Sequence, residues 1–322
     1  MNFESLYFPK IVDEAAKSIG PFIRKTYLAY SPVFSNLLNT DVRFKMENLQ
    51  VTGSFKARGA VNKLLSLTKN ERQKGVVSAS TGNHGAAVAY AAQKLNVKCS
   101  IFVPNDASEA KLQNIKNYDA KIEVYGKDCV ESEKKAREVA DLSNQVYVSP
   151  YNDPYVIAGQ GTIGFEIKDQ CKKLDVLIIS VGGGGLIGGT ASYLKSVWPD
   201  LYVVGCSPIN SAVMIHSLNK GKILDLDSKP TLSDGTAGGV EQDSITFPIC
   251  KDNIDETVLV SETEIKNAMI SFIENERLLL EGAAGTAVAT LIKMKDELKD
   301  KKVGVVICGG NISLDTLSKI LK

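Results

Sequence analysis

The sequence predicts an α/β protein with two doubly wound domains, the smaller inserted into the larger. From residue 76 onward, short β-rich runs alternate with helix-like segments, which is typical of parallel βαβ units. The alternation restarts at residue 175 with a second series of apolar runs. The chain has 322 residues, 44% of them hydrophobic, so it is long and apolar enough to bury two cores.

The first series predicts the smaller domain and the second predicts the sheet of the larger one. The first strand-like runs are V-V-S-A (76–79), K-C-S-I-F-V-P (98–104), K-I-E-V-Y (121–125) and V-Y-V-S (146–149), with helix-like segments at 86–92, 107–118 and 131–142. The second runs are D-V-L-I-I-S (175–180), L-Y-V-V-G (201–205) and V-G-V-V-I-C (303–308). We place the smaller domain at 76–151 and the larger at 1–75 and 152–322. Ligands of open α/β sheets bind beyond the carboxyl ends of strands, so the chemistry is expected in those loops.

The composition indicates what kind of molecule the protein binds and where it is located. With 38 basic and 37 acidic residues the net charge is +1, which disfavours binding to nucleic acid or an anionic membrane and favours a small molecule. The six cysteines are scattered without metal-ligand spacing, so neither a disulfide framework nor a zinc site is predicted. Residues 1–7 lack a signal-peptide pattern and no apolar run is long enough to span a bilayer. We therefore expect a cytosolic protein.

A polyglycine run, G-G-G-G-L-I-G-G (182–189), stands between a strand and a helix. Glycine lets successive backbone N–H groups converge, and a helix N-terminus adds partial positive charge, so this run predicts a phosphate site. A flexible loop, or close packing of strand and helix, is the alternative. The run also contains G-x-G-x-x-G, which makes a nicotinamide dehydrogenase a rival. The acid that would hold the ribose is missing from the next strand end, which reads Gly205, Cys206, Ser207.

The stretch S-A-S-T-G-N-H-G (78–85) follows another predicted strand and opens a helix. Ser80, Thr81 and Asn83 offer hydroxyls and an amide beside free backbone N–H groups, which suits a carboxylate. An ordinary helix N-cap explains the same residues equally well. His84 is a lone histidine here, and such histidines are more often structural than catalytic.

Lys56 lies in V-T-G-S-F-K-A-R-G-A, behind a phenylalanine and among small residues. A surface lysine is the common case, but small neighbours let other groups approach closely. Burial lowers the pKa of a lysine, and the neutral amine attacks aldehydes. Pyridoxal phosphate carries an aldehyde and a phosphate, and amino acids carry the carboxylate, so the three motifs together indicate a Schiff-base site.

These motifs resemble the fold-type II pyridoxal phosphate enzymes of the serine/threonine dehydratase and serine racemase family, whose fold is tryptophan synthase beta-like. S-F-K-A-R-G, S-T-G-N-H-G, G-G-G-G-L, C-G-G-N, S-P-Y-N-D-P and I-A-G-Q-G-T all match, across essentially the whole chain. The resemblance implies a Schiff base on Lys56, with Phe55 against the pyridine ring, Asn83 at its phenolic oxygen and Cys308 facing its nitrogen. It implies cofactor binding by Phe55, Lys56, Asn83, Gly182, Gly183, Gly184, Gly185, Leu186, Gly235, Glu281 and Cys308, and substrate binding by Ser80, Thr81, Gly82, Asn83 and His84.

By the same resemblance the expected activity is that of an ammonia-lyase. L-Serine, L-threonine or a related 3-hydroxy amino acid would give a 2-keto acid and ammonia, with Lys56 as general base for the Cα proton. Serine racemase is the alternative, and relatives acting on bulkier substrates such as phenylserine or the 3-hydroxy amino acids of hydroxyectoine breakdown also share the motifs. A non-catalytic binding protein would retain the fold, but the retained lysine argues against it. The family also implies a homodimer.

Three positions depart from the racemase pattern. Cys308 replaces a serine, and the sequence leaves open whether it is a thiol or a thiolate. Thr81 stands where the racemase has its second catalytic serine, so a hydroxyl persists with restricted rotamers. Ser207 and Val213 occupy the positions of two metal-binding acids, so we expect no Mg²⁺ or Ca²⁺ there. About a dozen residues follow Asn311, and we expect no C-terminal regulatory domain.

Overall fold

The computed structural model of the protein describes residues 8–105, 107 and 109–322. Two sheets of mostly parallel strands are flanked by helices, and the predicted fold class is confirmed. The strands are β1 Leu28–Tyr30, β2 Asp41–Met46, β3 Val76–Ala79, β4 Cys99–Val103, β5 Lys121–Val124, β6 Val146–Tyr147, β7 Val176–Ser180, β8 Tyr202–Pro208, β9 Glu256–Val260 and β10 Lys302–Ile307. Every run interpreted as a strand in the sequence is a strand here, whereas β1, β2 and β9 were not anticipated.

The helices within the described ranges fill the connections between these strands. They are α1 Phe8–Ile19, α2 Pro32–Leu38, α3 Lys56–Leu65, α4 Lys69–Lys74, α5 Asn83–Leu95, α6 Glu109–Lys116, α7 Cys129–Ser143, α8 Pro154–Gln170, α9 Gly185–Val197, α10 Val213–Lys220, α11 Thr246–Asn253, α12 Glu262–Glu276, α13 Gly282–Lys293 and α14 Leu314–Leu321. The N-terminal stretch 1–7 and Ser108, within the predicted helix 107–118, lie outside the described residues. None of these helices is long and apolar enough to cross a membrane.

The larger sheet has the order β1-β2-β10-β7-β8-β9, with only β1 antiparallel to its neighbour. Val305 in β10 pairs with Phe44 on one side and Ile178 on the other. The chain leaves β7 toward β8 and β9, while β10 lies on the opposite flank. This reversal opens a crevice beyond the carboxyl ends of β7 and β10, where ligands of such sheets bind.

The smaller sheet is fully parallel in the order β5-β4-β3-β6. Its own reversal falls between β3 and β6, so the loops after these two strands meet at one edge. The residue boundaries of the two domains stay a prediction. Ala60, Val61 and Leu64 of α3 belong to the apolar core of this sheet although they precede residue 76.

A buried ionic network fixes α3 to β2, the turn after it and α8. Arg58 is fully buried and donates to Glu47 at 2.7 Å and to Glu166 at 2.8 Å. Lys45 donates to Glu166 at 2.5 Å and is also fully buried. Two cations face two carboxylates here, so every buried charge has a partner, as its desolvation requires. The network holds the first turn of α3, which begins at Lys56.

Candidate active site

The amine of Lys56 lies in the crevice between the two halves. Its Nζ donates a hydrogen bond to the carbonyl oxygen of Pro150 at 2.8 Å and lies 5.1 Å from the centroid of the Phe55 ring. Burial lowers the pKa of Lys56 to about 8, although the carboxylate of Glu281 opposes this shift. An exposed lysine would be almost wholly charged at neutral pH, whereas this amine is neutral for an appreciable fraction of the time.

The segment before Lys56 is fastened to the end of β10. The N–H of Phe55 donates to the carbonyl of Cys308 at 3.0 Å, and Ser54 forms an isolated antiparallel bridge with Gly309. The lysine and the end of β10 therefore keep a fixed relation to each other.

The polyglycine loop connects β7 to α9. Gly184 has φ +85°, a left-handed conformation that favours glycine. A Cβ on Gly183 would lie 2.4 Å from the ring of Tyr151, and one on Gly182 would lie 3.0 Å from the backbone of Thr236. Within the described chain, the N–H groups of 182–186 have no hydrogen-bond acceptor. A row of free N–H groups at a helix N-terminus is suited to a phosphate.

The loop between β3 and α5 folds on itself. The N–H of Gly82 donates to the hydroxyl of Ser80 at 3.1 Å, and Thr81 between them is half-buried. His84 is buried and its Nε2 lies 2.9 Å from the carbonyl of Val148. A carbonyl only accepts, so Nε2 carries the proton, and burial lowers the pKa of His84 to about 3. This histidine is neutral and anchors the loop to the segment after β6.

Asn83 links the smaller sheet to Glu281 and Asn311. Its amide donates to both carboxylate oxygens of Glu281 at 2.9 Å, and its carbonyl accepts from the amide of Asn311 at 2.7 Å. Burial raises the pKa of Glu281 to about 7, and the charge of Asp234 raises it further, while the N–H donors of Asn83 and Asn311 oppose the rise. Glu281 thus changes charge near neutral pH.

Two glycines make room for this carboxylate. A Cβ on Gly309 would lie 2.6 Å from the Oε2 of Glu281, so any larger residue there would displace the side chain. Gly235 lies on its other side, where a Cβ would be 3.4 Å from Oε1. The predicted residues Asn83, Gly235 and Glu281 are therefore brought together.

Cys308 follows β10 and is buried against the end of β7. The hydroxyl of Ser180 donates to its Sγ at 3.7 Å. Burial raises the pKa of the Cys308 thiol well above its usual range, so the group is a neutral thiol at physiological pH.

Four groups of this site were not singled out in the sequence. Ser180, Tyr151, Asn311 and the Pro150 carbonyl all contact predicted site residues. Three of them lie inside matching motifs, S-P-Y-N-D-P and C-G-G-N, and Ser180 ends a predicted strand. Position at a strand end was the signal that could have found them. Leu186, which was predicted, is buried in the first turn of α9.

Ser207 and Val213 occupy the two positions that match metal-binding acids of the racemase, and neither side chain is a carboxylate. Ser207 is buried and donates to the carbonyl of Val181 at 2.7 Å, and Val213 begins α10 and is buried in the core. Within the described ranges, no three His, Cys, Asp or Glu side chains are grouped to hold a metal ion.

The donor set fits pyridoxal phosphate. A desolvated amine with a lowered pKa suits a covalent bond to an aldehyde, and the free N–H groups of 182–186 suit the phosphate. The neutral Ser180–Cys308 pair and the amide of Asn83 supply polar groups for the ring. Fold and site together define a fold-type II enzyme of the pyridoxal phosphate class.

Comparison with known proteins agrees with this class. The sequence profile described as "Pyridoxal-phosphate dependent enzyme" matches residues 19–309. An L-threonine ammonia-lyase from Thermotoga maritima is 40% identical over 96% of this chain and 77% of its own length. A serine racemase from Dictyostelium discoideum is 39% identical over 97% of each chain. The solved processed threonine deaminase isoform 2 from Solanum lycopersicum superposes with a TM-score of 0.93 at 31% identity, covering 98% of this chain and 93% of that one.

The chain belongs to the pyridoxal-phosphate dependent enzyme family.

Proposed function

We propose that the protein is an ammonia-lyase that converts L-serine, L-threonine or a related 3-hydroxy amino acid to a 2-keto acid and ammonia. The observation that carries this proposal is the buried amine of Lys56 at the Pro150 carbonyl, together with the free N–H groups of the glycine loop and the Ser180–Cys308 pair. Relatives named L-threonine ammonia-lyase and L-threonine dehydratase catabolic TdcB support threonine as a substrate to test first.

Bound pyridoxal phosphate supplies an aldehyde that links to amines and a ring that withdraws electrons from the substrate Cα. Lys56 supplies the base for the Cα proton. With a pKa of about 8, roughly a quarter of this amine is neutral at pH 7.5, compared with about a thousandth for an exposed lysine. The carbonyl of Pro150 accepts from the amine and orients it.

Cys308 and Ser180 would hold the ring nitrogen with neutral groups. Since the thiol is un-ionised, no carboxylate or thiolate charge stabilises a proton on that nitrogen. With such neutral partners, a bound ring would withdraw fewer electrons from the substrate Cα than a ring held by a carboxylate. The neutral pair therefore supports elimination over exchange of the amino group.

The loop 80–84 would hold the substrate carboxylate. Its backbone at Gly82 has open space on the side where a Cβ would lie, and Ser80 and Thr81 are half-buried hydroxyl donors. Asn83 at the start of α5 adds partial positive charge from the helix N-terminus. His84 would contribute by holding this loop to the carbonyl of Val148.

Serine racemase activity is the second candidate. The Dictyostelium relative at 39% identity carries that name, and Thr81 retains a hydroxyl at the position of the racemase's second base. We also propose a homodimer, on the family likeness. The cytosolic location is proposed from the scattered cysteines and the lack of a targeting pattern, and the domain division at residues 75/76 and 151/152 from the two series of alternating strand-like and helix-like runs.

The test is a substrate screen on the protein loaded with pyridoxal phosphate. Keto-acid release is measured from L-serine, L-threonine, phenylserine and 3-hydroxyaspartate, with chiral analysis of residual serine. Lys56→Ala should abolish release, whereas Lys74→Ala on the exposed end of α4 should leave it unchanged. D-Serine forming faster than pyruvate would favour the racemase, and release from none of the substrates would defeat the lyase proposal.

A further inference from the structure

One carboxylate outside the predicted site connects three parts of the molecule. Glu241 lies in the loop before α11 on the cofactor half. Its Oε2 accepts from the amide of Asn152 at 3.0 Å, and its Oε1 lies 3.2 Å from the guanidinium of Arg137. Its backbone N–H donates to the hydroxyl of Tyr151 at 3.0 Å. We call these four residues the Glu241 clamp.

The clamp touches the cofactor loop through Tyr151. The ring of Tyr151 packs against Gly183 so closely that a Cβ there would lie 2.4 Å from it. The same loop is held a second time, because the hydroxyl of Thr246 donates to the carbonyl of Gly183 at 2.6 Å. Asn152 adds a further tie by accepting from the N–H of Ile245 at 3.0 Å. The segment 237–246 and the segment after β6 are thus locked together beside the glycine loop.

Arg137 ties the clamp to the substrate half. It lies on α7, which packs against β3 and β4 of the smaller sheet, and its guanidinium stands 4.2 Å from the centroid of the Tyr147 ring in β6. It also pairs with Glu133 one turn earlier, at 2.7 Å. Because β3 leads into the loop 80–84, Arg137 belongs to the same rigid layer as that loop. The Arg137–Glu241 pair therefore joins α7, beside the smaller sheet, to the loop before α11.

The side chains of Glu241 and Arg137 are only partly buried, at 25% and 39% exposure. Pairs of this kind contribute little to the stability of folding. Because such an ion pair contributes little to the free energy of unfolding, it can form and break at low cost as two halves of a molecule open and close.

We propose that Glu241 is a positioning residue that couples closure of the substrate half, through Arg137, to the glycine loop, through Tyr151. This inference rests on the proposed function, since it assigns the loop 80–84 to an amino-acid carboxylate. It predicts that breaking the pair weakens amino-acid binding while cofactor affinity stays nearly unchanged.

The experiment measures equilibrium binding of L-alanine, which has no β-hydroxyl to eliminate, by the change in cofactor absorption. Arg137→Gln and Glu241→Gln should each raise the Kd of L-alanine about three-fold. The double variant should also raise it about three-fold, because each single substitution already breaks the same Arg137–Glu241 pair. The conservative variant Arg137→Lys keeps a positive charge opposite Glu241 and beside Glu133, and should stay within about two-fold of the wild type. The Kd of pyridoxal phosphate for the apoprotein should change less than about two-fold in Arg137→Gln.

The matched control is Glu138→Gln, which breaks the Lys135–Glu138 pair on the same helix at 3.0 Å without touching the other half. It should leave both Kd values unchanged. The inference is overturned if the double variant raises the Kd of L-alanine by the product of the two single effects, or if Glu138→Gln raises it as much as Arg137→Gln. It is also overturned if the wild type does not bind L-alanine. Binding without keto-acid release from any hydroxy amino acid would instead defeat the lyase proposal and leave the clamp standing.

Discussion

Replacing Lys56 by methionine should stabilise the apoprotein in a pH-dependent way. The lysine pKa is lowered from 10.5 to about 8 because burial disfavours the charged form. At about 1.36 kcal/mol per pKa unit, keeping the charged amine in the folded protein costs about 3 kcal/mol. Above pH 10.5 the amine is neutral in both states and the cost vanishes. It grows as the pH falls and is complete below pH 8.

The assay compares urea unfolding of wild type and Lys56→Met between pH 7 and 10, after removal of the cofactor. The free energy of unfolding of the wild type should rise relative to the variant by about 2.5 kcal/mol over this range. At pH 7 the variant should be more stable by about 2 kcal/mol, since loss of the hydrogen bond to Pro150 offsets about 1 kcal/mol. Lys74→Met, at an exposed position, is the matched control for the loss of a lysine side chain. A difference between wild type and Lys56→Met that is flat with pH would refute the desolvated amine.

Three further substitutions test separate parts of the site. Gly183→Ala places a Cβ 2.4 Å from the ring of Tyr151, so the loop must shift, and the Kd of pyridoxal phosphate measured by titration should rise at least about ten-fold. Cys308→Ser keeps a neutral group beside Ser180, so the pH profile of keto-acid release should not move between pH 6 and 9. Arg58→Met leaves the buried carboxylate of Glu47 without its bonded cation, while Glu166 keeps Lys45, and should lower the free energy of unfolding by about 3–5 kcal/mol in denaturant titrations. Wild-type cofactor affinity in Gly183→Ala would contradict the first expectation, and a shifted pH profile in Cys308→Ser the second. A loss of unfolding free energy below about 1 kcal/mol in Arg58→Met would contradict the third.

The sheet strands that the sequence identified are mostly apolar runs rich in β-branched residues, although β9 has the same character and was missed. β7 and β10 are buried on both faces and read as continuous apolar runs, which made them easy to recognise. β2 was missed because Arg43 and Lys45 interrupt its apolar pattern. Lys45 is nevertheless fully buried, since Glu166 neutralises it from α8, more than a hundred residues away. No local pattern carries such a long-range pairing.

The candidate site was predictable where one motif supplies one chemical function. The lysine, the glycine loop and the loop 80–84 each combine distinctive residue types in a short stretch. The contacts between them were not predictable, because they join segments distant in sequence. The bond from Asn83 to Glu281 spans 198 residues, and the contact of Ser180 with Cys308 spans 128. The ionisation state of Cys308 likewise depends on burial, which only the fold determines.

The most direct test of the central claim is to locate the covalent bond to the cofactor. The apoprotein is titrated with one equivalent of pyridoxal phosphate, reduced with borohydride, digested and mapped by mass spectrometry. We expect a single phosphopyridoxyl group, on the peptide that contains Lys56. Modification spread over surface lysines, or concentrated on another lysine while Lys56 stays free, would contradict it.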